Sequence, residues 1–122
     1  LGLQEQVQFI GFVSGTRKVS LYQAADLFIL PTHQENWGFV LLEALACGTA
    51  LLTTRSVDIW PELESSGGAI ILERSGEAIA DAVQPLLESP EHMASMGEAG
   101  RAWVLRDQDA DRVAGLYEQL YS

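Results

Sequence analysis

Residues 27–48 read LFILPTHQENWGFVLLEALACG, and this stretch decides the fold. Its first four residues are apolar and predict a buried strand that Pro31 closes. A polar segment follows, and residues 38–46 read as a helix ended by Gly48. The predicted order is therefore strand, polar loop and enclosed helix.

The same reading extends along the chain. Further strands are predicted at residues 7–12, 50–54 and 69–72. Helices are predicted at 16–25 and 61–66, from 76 onward, from 90 onward and at 109–121. Because residues 27–30 are all apolar, we expect that strand to be covered on both faces, as in a parallel sheet. The predicted fold is α/β: a Rossmann-like parallel sheet of about four strands flanked by helices, with a helical C-terminal segment.

Apolar residues at helical spacing identify the faces that the helices should bury. The predicted buried residues are Val19, Tyr22 and Ala25 in the first helix, Ile79, Ala82, Val83, Leu86 and Leu87 in the fourth, and Met93, Met96, Gly100 and Trp103 in the fifth.

Length and charge limit the function. The 122 residues, 48% of them hydrophobic, suit one domain. Seventeen acidic against seven basic residues give a net charge of −10, which argues against nucleic acid as a partner.

No apolar run reaches the roughly 20 residues of a membrane span, and no signal segment opens the chain, so a cytoplasmic protein is expected. Two histidines and the single Cys47 form no zinc cluster, and Cys47 is expected to pack inside the fold.

Glu43 is the unusual residue of the central helix, because its neighbours are apolar all round. Burying an unpaired carboxylate is costly, so Glu43 needs partners. We expect hydroxyl groups of a bound molecule to be those partners. The alternative is that Glu43 pairs with Arg17 or Arg55 of its own chain.

The start of this helix is suited to an anion. Residues 36–39 offer backbone N–H groups that have no partner within a helix, and Gly38 permits close approach of a ligand. Glu35 lies just before these amides and would repel a phosphate, unless its carboxylate points at hydroxyl groups. The residues alone therefore indicate a molecule with both phosphate and hydroxyl groups.

Glu35 and Glu43, with Trp37-Gly38 after the first and residues 43–48 (EALACG) at the second, resemble the signature of retaining nucleotide-sugar glycosyltransferases of the GT-B architecture, group 1 or family 4 type. The resemblance extends from residues 7–11 (VQFIG) through residues 24–31 (AADLFILP) to residues 97–101 (GEAGR). It implies a parent enzyme that transfers a sugar from a nucleotide-diphosphate sugar to an acceptor. The donor is a substrate, and no cofactor or metal is expected.

Site roles follow from the resemblance. It implies that Glu35 sits beside the donor sugar as the catalytic carboxylate, and that Glu43 holds the ribose hydroxyls. Backbone amides of the donor-binding residues Asn36, Trp37, Gly38, Phe39 and Val40 would meet the sugar and diphosphate. His33 is a further donor-binding candidate, although loop histidines are usually only solvated. Arg55, Asp58 and Trp60 are weaker candidates, and for Trp60 a packing role is the stronger expectation.

No Lys or Arg lies between Lys18 and Arg55, whereas the family normally supplies an Arg and a Lys to the diphosphate from an upstream segment. We therefore expect residues 1–122 to be part of a C-terminal nucleotide-sugar-binding domain, without its first βαβ unit and its acceptor-binding N-terminal domain. The missing domain could tie the protein peripherally to the inner face of the membrane. Truncated surfaces would favour self-association. A non-catalytic binding module and a sugar-nucleotide epimerase are the alternative functions.

Overall fold

A computed structural model describes residues 15–30, 38–57 and 59–107, together with positions 114, 115 and 118. The elements are α1 (Gly15–Ala24), β1 (Leu27–Leu30), α2 (Gly38–Ala46), β2 (Ala50–Thr54), α3 (Trp60–Ser65), β3 (Ala69–Leu72), α4 (Gly76–Leu87) and α5 (Pro90–Asp107). Helices and strands alternate as far as α4, and a further helix follows, in the predicted order. The predicted strand at 7–12 and most of the predicted helix at 109–121 lie outside the described residues.

The three described strands form one parallel sheet in the order β1-β2-β3. Leu27 pairs with Ala50 in the first ladder, and Leu51 pairs with Ala69 in the second. Parallel neighbours need crossover connections, and α2 and α3 provide them. The α/β class and the parallel sheet flanked by helices are thus confirmed.

Burial differs between the central and outer strands. All five residues of β2 are buried. In β1, by contrast, the Ile29 side chain is 37% exposed. The expectation that β1 is covered on both faces is therefore wrong for Ile29, because side chains project from the faces of a sheet and the face at Ile29 is only partly covered. The buried Thr53 hydroxyl donates a hydrogen bond to the Leu30 carbonyl at 2.9 Å and ties β2 to the end of β1.

Helix α2 has the predicted bounds, and its end shows why. Gly48 takes a φ of +79°, a left-handed conformation that glycine adopts without strain. The Gly48 amide then donates to the Leu45 carbonyl at 2.9 Å and the Thr49 amide to the Ala44 carbonyl at 3.0 Å. This pair of bonds is the Schellman motif, which satisfies carbonyls at the helix end. It turns the chain directly into β2.

Helices α4 and α5 cover the sheet further along the chain. Ser75 caps α4 by accepting a hydrogen bond from the Ala78 amide at 3.0 Å. The predicted face of α4 is only partly correct, because Leu86 is buried but Leu87 is 66% exposed. The predicted face of α5 is confirmed: Met93, Met96, Gly100 and Trp103 are all buried. The predicted face of α1 is again only partly correct: Val19 is buried, whereas Ala25, which follows the helix, is exposed.

Glycines allow the backbone of α5 to pack directly against the backbone of two turns of the chain. A Cβ atom built on Gly97 would overlap the carbonyl oxygen of Gly48. A Cβ on Gly68 would lie 2.6 Å from the Gly100 Cα. Leu45 of α2 packs into the same place, since its Cδ2 would be 2.7 Å from a Cβ on Gly100. Close packing of α5 on α2 and the strand ends therefore requires hydrogen as the side chain here.

In the described residues, no helix is both long and apolar enough to cross a lipid bilayer.

Candidate functional site

The predicted site residues fall into two groups. Glu35, His33, Asn36 and Trp37 lie outside the described residues. The others belong to α2: Gly38, Phe39 and Val40 form its first turn, and Glu43 lies in its second turn. The described part of the site is therefore α2 and the side chains that surround Glu43.

Glu43 is 2% exposed, between Leu42 and Ala44, which are 1% and 0% exposed. In the described part of the chain, the carboxylate meets two groups of α1. The Tyr22 hydroxyl donates a hydrogen bond to Oε1 at 3.1 Å. The Lys18 ammonium lies 3.6 Å from Oε2 and forms an ion pair with it. The expectation that Glu43 is buried and partnered is thus correct.

Within the described residues, the ion-pair partner of Glu43 is not one of the arginines of the alternative expectation. Arginine does not supply the ion pair, since Lys18 makes it and Arg55 pairs with Glu73 at 2.9 Å instead. A bound molecule is not needed to explain the burial, because groups of the chain itself already offset the cost of burying the carboxylate. Any role of Glu43 in binding must therefore be compatible with these contacts.

Tyr22 is held at both its ring and its backbone. The ring meets Phe28 of β1 edge to face, with the ring centres 5.6 Å apart and the planes at 90°. The Thr49 hydroxyl donates a hydrogen bond to the Tyr22 carbonyl. Burial raises the pKa of the Tyr22 hydroxyl well above its ordinary value, and the charge and hydrogen bond of Glu43 raise this pKa further. The Tyr22 hydroxyl therefore remains a donor toward Glu43 at neutral pH.

This raised pKa predicts a loss of stability in alkaline solution. A pKa raised in the folded state gives stability that is fully present below the unfolded-state pKa, near 10, and is lost as the pH rises through the folded-state pKa. One proton contributes a slope of at most about 1.4 kcal/mol per pH unit. We expect Tyr22→Phe to remove that slope, as measured by urea denaturation between about pH 9 and about pH 11.

Every other side chain is the same in the two proteins, so the difference between their slopes isolates Tyr22. Equal slopes in wild type and Tyr22→Phe would contradict this assignment.

A second charged group lies after the carboxyl ends of β2 and β3. Arg55 follows β2, pairs with Glu73 after β3, and lies 5.5 Å from the centre of the Trp60 ring. Arg55 and Glu73 are 54% and 82% exposed, so their ion pair adds little stability. Trp60 packs against the main apolar cluster, in agreement with its predicted packing role. Asp58 lies outside the described residues.

Cys47 follows α2 and is half-buried. Burial raises the pKa of its thiol, and the negative charge of Glu43 adds to this effect, while Arg101 opposes it. A raised pKa disfavours the reactive thiolate, which agrees with the expected packing role. Among the residues that the structure describes, no group of three His, Cys, Asp or Glu side chains is placed to hold a metal ion.

Lys18 and Tyr22 are the residues that the sequence analysis did not connect with the site. They are four positions apart in α1, so they project from one face of that helix. In the sequence, this spacing is the signal that could have linked the two residues to one site. Which helix that face would meet, however, depends on a contact between α1 and α2 that spans 21 residues of sequence from Tyr22 to Glu43.

A parallel sheet whose strands are joined by crossover helices places the described part of the chain in the α/β class of domains. Residues 1–103 match the family model described as Glycosyl transferases group 1. The chain belongs to this family.

Individual relatives agree with the family match. The chain is 32% identical over 123 residues to N-acetyl-alpha-D-glucosaminyl L-malate synthase of Bacillus anthracis, covering 99% of this chain and 32% of that protein. Sucrose-phosphate synthase from Thermosynechococcus elongatus has a similar structure, with a TM-score of 0.81 at 26% identity, covering 98% of this chain and 30% of that one.

The C-terminal domain of a group 1 glycosyl transferase from Francisella tularensis is also similar, with a TM-score of 0.76 at 28% identity, covering 89% of this chain and 57% of that one. The first four curated relatives are longer proteins, and the chain spans 23%, 32%, 24% and 29% of their lengths.

Proposed function

We propose that the protein containing this chain transfers a sugar from a nucleotide-diphosphate sugar to an acceptor, with retention at the anomeric carbon. The observation that carries the proposal is the match of residues 1–103 to the group 1 glycosyl transferases, because it includes the whole predicted site at residues 33–43. In this proposal the chain is part of the C-terminal, donor-binding domain, and a separate domain binds the acceptor.

Each site residue has a specific role in this proposal. Glu43 accepts hydrogen bonds from the ribose hydroxyls, and backbone amides of residues 36–40 bind the sugar and diphosphate. Three of those residues, Gly38, Phe39 and Val40, form the first turn of α2, where amides have no partner within the helix. His33 contacts the donor sugar. Glu35 orients that sugar and is not assigned as a nucleophile.

The test is a transfer assay on the full-length protein with a panel of nucleotide-diphosphate sugars. Product formation that depends on acceptor, with the anomeric configuration of the donor kept as read by proton NMR, would support the proposal. Conversion of the donor into an isomeric sugar nucleotide without acceptor would instead identify an epimerase. An inverted product would contradict the proposed stereochemistry.

Glu35→Ala is expected to slow transfer by about 100-fold, because misplacing a reacting sugar by about 1 Å costs that much. The nucleotide affinity should change little, since Glu35 contacts the sugar rather than the nucleotide. Steady-state kinetics against donor concentration separates the two effects, with Gln34→Ala as a neighbouring control. Wild-type turnover in Glu35→Ala would contradict the assignment.

A second candidate function is binding without catalysis. The observation that favours it for the chain alone is its length, 23% to 32% of the first four curated relatives. In that case the 122-residue chain binds nucleotide sugar and transfers nothing. Calorimetry and a transfer assay on this chain distinguish the two functions, and any transfer would exclude the binding module.

Two further properties belong to the proposal. The protein acts in the cytoplasm, where nucleotide sugars are made, and it is peripheral to the inner face of the membrane through its acceptor domain. The isolated chain associates with itself, and the 37% exposure of the apolar Ile29 side chain supports this. Fractionation of cells and sedimentation of the chain at several concentrations test these two statements, and a monomer at all concentrations would contradict the second.

A further inference from the structure

We propose that Tyr22 is a positioning residue for nucleotide binding: its hydroxyl fixes the Glu43 carboxylate so that the remaining acceptor positions of Glu43 face the vicinal diol of a ribose. This inference rests on the proposed function, because it assigns Glu43 to the ribose. It adds α1 to a site that sequence motifs place in and before α2.

The argument begins with the rigidity of Tyr22. Its hydroxyl is 3.1 Å from Oε1 of Glu43, its ring lies against Phe28 of β1, and its carbonyl accepts a hydrogen bond from Thr49 before β2. These contacts reach three different parts of the fold. A tyrosine has only two side-chain torsions, so it holds a partner at little cost in conformational entropy. Tyr22 is therefore suited to fix the direction of the carboxylate.

The second step is the hydrogen-bonding capacity of the carboxylate. An ionised carboxylate offers about four acceptor positions on its two oxygens. Tyr22 occupies one of them on Oε1, and Lys18 pairs with Oε2. The capacity that remains can accept two hydrogen bonds, which is the number that a ribose diol donates. Without the Tyr22 hydroxyl the carboxylate could rotate, and the two acceptor positions would no longer be matched to the diol.

The third step distinguishes the two partners of Glu43. The Lys18 side chain is 19% exposed, and its ammonium is 3.6 Å from Oε2. Lysine is long and flexible, so this contact can shift when a ligand reaches a carboxylate that is itself 2% exposed. The positive charge of Lys18 offsets part of the cost of burying the Glu43 carboxylate. Tyr22 thus fixes the orientation of the Glu43 carboxylate, and Lys18 provides a positive charge beside it.

The experiment measures nucleotide affinity by calorimetry on the full-length protein. The probes are uridine, guanosine and adenosine diphosphates, and then the 2′-deoxy form of the one that binds most tightly. The proteins are wild type, Tyr22→Phe, Glu43→Gln and the double variant. Ser75→Ala is the control, because it removes one hydrogen bond, the α4 cap, and so costs similar stability away from Glu43.

We expect Tyr22→Phe to weaken binding of the ribonucleotide about fivefold, while Ser75→Ala binds like wild type. In the Glu43→Gln background the same change should have less than about a twofold effect, because the two groups act through one contact. The preference for the ribonucleotide over its 2′-deoxy form should also fall in Tyr22→Phe. A purely structural role of Tyr22 would not change this preference.

The experiment distinguishes a failure of the role inferred for Tyr22 from a failure of the proposed function. If wild type binds and Glu43→Gln binds more weakly, but Tyr22→Phe binds like wild type, this inference alone is overturned. An equal loss in both backgrounds, or an unchanged preference for the ribonucleotide, overturns it as well. If wild type binds none of the three diphosphates, the proposed function fails, and the role of Tyr22 fails with it.

Discussion

Gly97→Ala is expected to destabilise the fold by about 3 kcal/mol, at the upper end of the cost of overpacking a tight contact. The added Cβ would overlap the Gly48 carbonyl oxygen, which is backbone and cannot rotate away as a side chain would. Either α5 or the turn after α2 must move, and both are packed on buried residues. Thermal unfolding should show a midpoint lowered by roughly 10 °C.

Gly76→Ala is the matched control, because a Cβ at Gly76 in the first turn of α4 would meet nothing within 4 Å. Its stability should stay within about 0.5 kcal/mol of wild type. A stable Gly97→Ala protein would show that α5 does not approach the turn at Gly48 as closely as described.

Glu43→Ala has the largest expected effect on function: donor affinity should fall by about 10-fold to 100-fold. Hydrogen bonds to a charged group contribute about 1.5–3 kcal/mol, which corresponds to that range. The variant also loses the Tyr22 hydrogen bond and the Lys18 ion pair, at a cost of about 2 kcal/mol of folding stability. Calorimetry and urea denaturation measure the two losses separately.

Two other variants serve as controls for this result. Glu98→Ala removes an exposed carboxylate from α5 and should keep wild-type affinity. Glu43→Gln keeps the size of the side chain and an acceptor for Tyr22, so it should be more stable than Glu43→Ala but still bind donor weakly, because the charge is lost. Wild-type donor affinity in Glu43→Ala would refute the proposed site.

Local chemistry was sufficient to predict most element boundaries. α2 was predicted correctly at both ends because Gly38 and Gly48 bracket one apolar run, and the left-handed turn at Gly48 explains why the helix ends there. Strands β1, β2 and β3 were also predicted with the observed bounds, since each is a short apolar run between polar or glycine-containing segments.

Burial was harder to predict, because it depends on which neighbours a residue acquires. Leu87 continues the apolar spacing of α4 but is 66% exposed at the end of the helix. Ile29 is as apolar as its neighbours, yet its side chain is 37% exposed. Periodicity identifies a face, and only the tertiary arrangement shows how much of that face is covered.

The candidate site shows the same limit. The sequence identified Glu43 as a buried acid that needed partners, but it favoured arginines for the pairing within the chain. The observed contacts with Lys18 and Tyr22 depend on how α1 packs against α2, and nothing in either helix alone specifies that packing.

The contact between Gly68 and Gly100 limits which residues related sequences can have at this point of the domain. At this point the spacing between the layers is set by main chain against main chain, since a methyl group on Gly68 would lie 2.6 Å from the Gly100 Cα. Enlarging Gly68 would push the layers apart, and shrinking Leu45 could not make room there, because the nearest obstacle is the backbone of Gly100. Homologous sequences should therefore change Gly68 only together with the length or path of the adjoining segments.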